Sequence, residues 1–351
     1  MSAILRDVPL SRSLRRRFAR DSKSSRGYTR DNALTYDQAT LDSTGAFLIG
    51  ELERLDQQLH MPLASVTWTR DIDLREDVTI ADEVSSFTNS TFAAVGGMNP
   101  TGKNWISKVG NAIGRVNLDI GKTAHNLNLW GMELSYTIPE LKSAMQTGRP
   151  IDSQKLAAIN LKWNMDADQQ VYQGDTDLNV TGLCNDPSVT ATNVVNGGSG
   201  TAWSTKSAEQ ILADIRTLEE SVWASSAYSF APRKLLVPPS QFQLLLQPLT
   251  VGTAVVSESI LSYIKRNCLS LVVNGAPLEI VPVKWLYNMG TGSTARMVAY
   301  TQEMDKVRFP IVPLMNTPIQ YDSIYMKSTY FGRMGQVEIV YSTTIGYADG
   351  I

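Results

Sequence analysis

One stretch of the chain matches a chemical motif in residue type and spacing: GMNPTGKN, Gly97 to Asn104. It fits the Gly-x-x-x-x-Gly-Lys core of a phosphate-binding loop, where backbone N–H groups cradle phosphates and the lysine reaches the terminal ones. A nucleotide hydrolase also needs Ser or Thr after the lysine to hold magnesium, and Asn104 stands there. Pro100 interrupts the loop, Gly110 and Gly114 weaken the helix that should follow, and no apolar strand ending in aspartate offers the second metal ligand. A P-loop nucleotide hydrolase is therefore kept only as a remote alternative. His60 and His125 stand alone and read as structural. Cys184 and Cys268 have no histidine nearby in sequence to act as a base, and read as reduced, buried thiols of a cytosolic protein. The loop NMGTGST, 288–294, reads as a surface turn. No catalytic, cofactor-binding or metal-binding residue is expected, no cofactor is implied, and the chain is not expected to be an enzyme.

Charge carries more information. Residues 1–30 hold eight Arg and one Lys against Asp7 and Asp21, although the 351-residue chain has a net charge of -2. A basic arm thus precedes a mildly acidic body, and blocks of like charge contact something of opposite sign. The arm is Arg- and Ser-rich, which leaves an organelle transit peptide open, but no apolar run follows it as a secretory signal requires. No stretch is long and apolar enough for a transmembrane helix. Charged residues make up 19% of the chain, below the usual quarter, beside 12 Met, 7 Trp and 13 Tyr. Such a surface suits contact with protein.

These residues must be positioned by the elements around them. The arm runs to about Thr44, with Leu5, Leu10, Leu14 and Phe18 spaced by about four between arginines. FLIGELERLDQQL predicts a helix over 47–59, ended by Pro62. VTWTRDIDL, 66–74, alternates strictly and predicts a strand, as does VTIADEV, 78–84. Residues 85–112 have no sustained period, and polar strands resume at IGRVNLDIG and over Asn126–Thr137. Polar strands around a Gly-rich tip predict a long two-stranded flap that cannot bury its own faces and must lie on something. Pro139 opens a helix that Gly148 closes. Asp152 caps a long helix closed by Gly174, with Leu156, Ile159, Trp163, Ala167 and Val171 as its apolar stripe.

Gly197, Gly198 and Gly200 predict a domain junction. Ser204 then caps a helix whose face is Ile211, Ile215, Leu218 and Val222. A buried strand is expected at 233–238, and short helices after Pro239 and from Ser257. Further strands are expected at 278–283, 295–301, 307–312, 319–327 and 336–348.

In this order the elements resemble the major capsid protein of tailed phages, whose Hong Kong 97-like fold is shared with encapsulin shells. The local match is YQGDTDLNVTGLCN, Tyr172 to Asn185, similar to the Tyr/Phe-x-Gly-Asp and Gly-Leu-x-Asn that end the spine helix in that family. APRKLLVPPSQFQLL, Ala231 to Leu245, is a second match, to a core strand followed by a helix.

The resemblance implies an α+β chain with an N-terminal arm (1–45), a linking helix (46–63) and an extended E-loop (64–124). It also implies a P-domain (125–195) with its spine helix at 152–173, a mixed α/β A-domain (196–322), and terminal P-domain strands (323–351). It implies self-assembly into hexamers and pentamers, forming an icosahedral bacteriophage head shell around double-stranded DNA bound without sequence specificity. The virion is then the location, after assembly in the host cytoplasm. An encapsulin-type nanocompartment is the close alternative.

Arg12, Arg15, Arg16, Arg17 and Arg20 of the arm are expected to contact neighbouring subunits or DNA, against the plainer reading of a disordered tail. Gly96, Gly97, Lys103 and Trp105 at the E-loop tip are expected to contact an adjacent subunit. The short arm lacks the pattern of a built-in scaffold, so a separate scaffolding protein is expected, with a portal protein and a possible decoration protein as further partners and no membrane. Some shells of this family join a flap Lys to a late Asn. Lys103 and Lys108 offer the lysine, but no Asn follows Asn316, so no such crosslink is expected.

Overall fold

The computed structural model describes residues 64–95, 115–147, 151–198, 200–251 and 254–351. The arm with its five named arginines, the helix expected at 47–59, His60, Gly148, and the flap tip with Gly96, Gly97, Lys103, Trp105 and Lys108 lie outside the described residues. So does the phosphate-loop-like stretch 97–104.

The segment 66–74 is not a strand. Trp68–Asp71 forms one helical turn, α1, followed by the short strand β1 (Asp73–Arg75). Asp168 Oδ1 accepts from the backbone N of Thr67 at 2.8 Å and of Trp68 at 3.1 Å. Capturing two free N–H groups favours the turn, which buries Trp68 and Asp71, three residues apart, on one side. The strand expected from 78 starts only at Val84, because Asp82 Oδ2 accepts from the backbone N and Oγ1 of Thr79 at 2.7 and 2.8 Å and closes a turn.

The flap follows as β2 (Val84–Val95) and β3 (Arg115–Asn126), then β4 (Asn128–Thr137), α2 (Ile138–Thr147) and the long helix α3 (Ile151–Tyr172). Of the stripe expected on α3, Ile159, Trp163, Ala167 and Val171 are buried while Leu156 is exposed. Short strands β5 (Gly174–Asp175), β6 (Val180–Thr181) and β7 (Ala191–Asn193) lead to helix α4 (Ala208–Ser225). Its cap is Ser207 and not Ser204, which lies in a 3-10 turn. Only Ser207 has Gln210 three residues on to complete a capping box.

β8 (Lys234–Val237), α5 (Pro239–Leu244), β9 (Pro248–Val251), β10 (Ala254–Ser259), α6 (Ile260–Arg266) and α7 (Leu269–Asn274) come next. The helix expected from Ser257 begins at Ile260, since Ser259 is the residue whose hydroxyl caps it. α7 had no signal beyond a short apolar run. β11 (Glu279–Pro282), β12 (Arg296–Tyr300), β13 (Val307–Asn316), β14 (Gln320–Asp322), β15 (Tyr325–Met334), β16 (Glu338–Ile339) and β17 (Ile345–Asp349) complete the order. The run expected over 319–327 is a hairpin turning at Ser323, φ 58°.

One sheet has six strands: β15 pairs with β4 along its whole length and with β13 and β14 on its other side, and β13 also pairs with β1 and β16. The second is ordered β11-β8-β12-β17-β7. The sheets do not follow the boundary at residue 322. β13 lies in the six-stranded sheet and β17 in the five-stranded one.

Alternation along the five-stranded sheet feeds two cores. Leu235, Val237, Met297 and Ala299 pack with Ile211, Ile215, Leu218 and Val222 of α4. Leu236, Val298, Tyr300 and Tyr347 pack with Trp163, Ala167 and Tyr172 of α3 and Phe309 of β13.

A buried ion pair closes one end of this sheet. Arg296 Nε and Nη2 donate to the Asp349 carboxylate at 2.6 and 2.9 Å, and Arg296 Nη1 donates to the Cys184 carbonyl at 2.7 Å. Burial pushes the Asp349 carboxyl up, but Arg296 and the backbone N of Thr291 outweigh it, and the group sits below its usual value. A depressed carboxyl stabilises the fold above its unfolded value of about 3.9, and this contribution is lost as pH falls through the folded value. Asp349→Asn is expected to cost about 3 kcal/mol at pH 7 by leaving Arg296 uncompensated. Thermal unfolding of both proteins down the pH scale checks it: the gap should close only in acid, below about pH 4.

Candidate functional site

The flap's described strands pair antiparallel in unbroken register, from Val84 opposite Asn126 to Val95 opposite Arg115. Twelve residues per strand span about 40 Å. On β3, Val116, Leu118 and Ile120 are 68%, 53% and 62% exposed. At i, i+2 and i+4 they share one face. A two-stranded ribbon with an uncovered apolar strip marks an interaction site. His125 stacks on Phe87 near the base, ring centroids 5.9 Å apart, which accounts for it structurally.

The root of the flap is built by charge. Glu338 is fully buried and accepts from Arg308 Nε at 2.7 Å, from Arg75 Nη1 at 3.1 Å, and from the hydroxyl of Ser85 on β2. Arg75 Nη1 also donates to the Ser86 carbonyl at 3.1 Å, and Asn89 Nδ2 to the Val340 carbonyl at 3.2 Å. The base of the ribbon is thus clamped to β13 and β16, and its direction is set within the chain. Sequence reasoning missed Glu338, Arg75 and Ser85, since partners up to 263 positions apart leave no local pattern. The strip had a signal in the alternation of RVNLDIG, which the polar reading of that strand passed over.

The motif 172–185 forms a clasp at the end of α3. Gly174 has φ +70°, and a Cβ there would lie 2.2 Å from the Val180 carbonyl oxygen. A Cβ on Gly182 would lie 2.5 Å from the Tyr172 carbonyl carbon. Asn185 ties the loop to the helix end, accepting from Gly182 N and donating to the Gln173 carbonyl, both at 2.7 Å. Tyr172 donates its hydroxyl to Asp71, and burial followed by the Asp71 charge pushes that phenol up.

Asp71 is itself the centre of a buried network joining α1, α3 and β8. Arg70 Nε donates to it at 2.7 Å, Lys234 Nζ lies 3.1 Å away, and Lys234 also donates to the Arg70 carbonyl at 2.6 Å and to Gln302 Oε1 at 2.9 Å. None of these groups is arranged as a nucleophile with a base. Cys184 and Cys268 are free and buried, and burial pushes the Cys184 thiol up. Among the described residues, no three His, Cys, Asp or Glu side chains gather to hold a metal. No helix among them is long and apolar enough to cross a membrane.

The sequence profile of the family described as Major capsid protein matches residues 102–351. No curated protein matches the chain in sequence. Among solved structures, the capsid of Myoviridae phage XM1 superposes with a TM-score of 0.68 at 17% identity, over 86% of this chain and 98% of that one. The capsid of a native GTA particle gives 0.57 at 11% identity, over 91% and 99%. The holo-SrpI encapsulin complex from Synechococcus elongatus PCC 7942 gives 0.48 at 9% identity, over 90% and 96%. Fold and flap agree with a profile match that covers most of the chain, which belongs to the major capsid protein family and is a head shell protein.

Proposed function

We propose that copies of this chain form hexamers and pentamers that close an icosahedral head around double-stranded DNA, each flap lying over an adjacent subunit. The exposed strip Val116, Leu118 and Ile120 carries this reading, because nothing in the same chain covers it among the described residues. In these terms the E-loop is about 64–124. The six-stranded sheet with α3 serves as the P-domain, and the five-stranded sheet with α4 to α7 serves as the A-domain. The division differs from the resemblance in taking β1, from within the E-loop range, and β13 into the P-domain, and β7 and β17 into the A-domain. The protein acts without catalysis, is assembled in the host cytoplasm, and works with a separate scaffolding protein and a portal protein. Electron microscopy of the purified protein tests the assembly. Closed shells protecting double-stranded DNA from nuclease support the reading. Small monodisperse particles alone, or shells filled with a protein cargo, would overturn it.

The tip residues Gly96, Gly97, Lys103 and Trp105 are proposed to reach the same neighbour. Arg12, Arg15, Arg16, Arg17 and Arg20 are proposed to bind acidic subunit surface or packaged DNA, since the arm carries the chain's excess of positive charge. Changing these five to Gln should lower particle yield several-fold at low salt, with the gap to the natural chain narrowing as salt rises and screens the same charge contacts there. Equal yield at every salt concentration would leave the arm a mere tail.

A further inference from the structure

Glu219 on α4 is a buried acid that the shell reading does not use. It is 3% exposed, and its Oε1 has no hydrogen-bond partner among the described residues. It lies where α4 packs on α7, beside the apolar core of Ile215, Leu218, Val222, Ile264 and Cys268. α7 carries no titratable side chain, and its cap residue Cys268 makes no side-chain capping bond. The helix buries Ser270 inward and turns Leu271, Val272 and Val273 outward as an exposed apolar face.

We propose that Glu219 is a proton-controlled latch, holding α7 against α4 when neutral and loosening it when ionised. A buried carboxylate with an unpaired oxygen is costly, and the simplest relief is to let water reach it. The segment proposed to move is α7, six residues long, which the Asn274 side chain ties to the Ala231 carbonyl at 3.0 Å. Burial pushes the carboxyl up to about 7, against the pull of the Leu269 backbone N–H and of Arg216 on the same helix.

Other charged groups lie on elements packed against α4. On α6, Arg266 pairs with Glu258 at 2.5 Å, Tyr263 lies under the Arg216 guanidinium at 5.8 Å, and Lys265 is in the last turn. From β12 and β17, Arg296 and Asp349 hold each other at 2.6 Å. None of these satisfies Oε1.

The sign follows from linkage. An acid whose value is raised in the closed state stabilises that state fully below its ordinary value, and the stabilisation is lost as pH rises toward the raised one. With an ordinary value near 4.5 and a raised one near 7, opening of α7 should become about tenfold more frequent between pH 6 and pH 8.5.

Hydrogen exchange of the amides of 269–274, corrected for the intrinsic pH dependence of exchange, measures this directly. The expected result is a protection factor about tenfold lower at pH 8.5 than at pH 6 in the natural chain, and no such step in Glu219→Gln, which cannot ionise. Equal protection at both pH values in the natural chain would overturn the latch, whatever the variants do. A step that persists unchanged in Glu219→Gln, or in Glu219→Leu should the first variant fold poorly, would overturn it as well.

Discussion

A chain carrying Val116→Asp, Leu118→Asp and Ile120→Asp is expected to fold normally and to build no shells. The three side chains are exposed in the single subunit, so replacing them costs little there, within about 0.5 kcal/mol each. Pressed against a neighbour, each carboxylate would lose water without gaining a partner, at several kcal/mol apiece by order of magnitude. Shell formation repeats this contact in every copy, so a loss per contact becomes a loss of assembly. Sedimentation and electron microscopy should show only small soluble species, with a thermal midpoint like that of the natural chain. Deleting Thr88–Trp105 should give the same outcome by removing most of β2 and leaving β3 without its partner strand. Normal particles from either variant would remove the flap from the assembly contact.

The second large effect is on stability. Asp71→Ala is expected to destabilise the chain by about 3 kcal/mol, because it removes the closer carboxylate of a buried ammonium. Lys234 is 2% exposed and keeps the Arg70 carbonyl, Gln302 Oε1 and, at 3.5 Å, the more exposed Glu279 carboxylate once Asp71 is gone. Tyr172 loses the acceptor of its hydroxyl in the same change. Urea unfolding should show the midpoint fall with the slope unchanged. The double variant Asp71→Leu with Lys234→Met should recover much of the loss, since a well-packed apolar pair often replaces a buried ion pair at no cost. A single variant as stable as the natural chain would show that the network contributes nothing net.

Much of the body was readable wherever one helix or strand carries its own period. The face of α4 and the run of β8 follow from local pattern alone, and all four of their outer partners in the core are the residues that pattern selects. The reading failed where a distant side chain decides the backbone. Thr67 to Asp71 alternate like a strand, yet Asp168, a hundred residues on, captures the N–H groups that make them a turn. Residues 328–334 had no strand signal. They extend β15 because β4 pairs beside them throughout and Gly332 admits Trp163, whose ring would lie 2.6 Å from any Cβ there. The buried carboxylates at the flap root and at α1 were invisible for the same reason: an isolated Glu or Asp is indistinguishable from a surface one until its cations are seen in space.

The order of strands has a consequence for biosynthesis. β17 lies between β12 and β7, and it follows every other strand of that sheet along the chain. A ribosome that has not yet delivered Ile345–Asp349 therefore holds a nascent chain with two open strand edges and both cores unfinished, since Tyr347 belongs to one and Ala348 to the other. Such edges invite pairing with the wrong chain. The five-stranded sheet can therefore close only after translation has passed Ile345–Asp349.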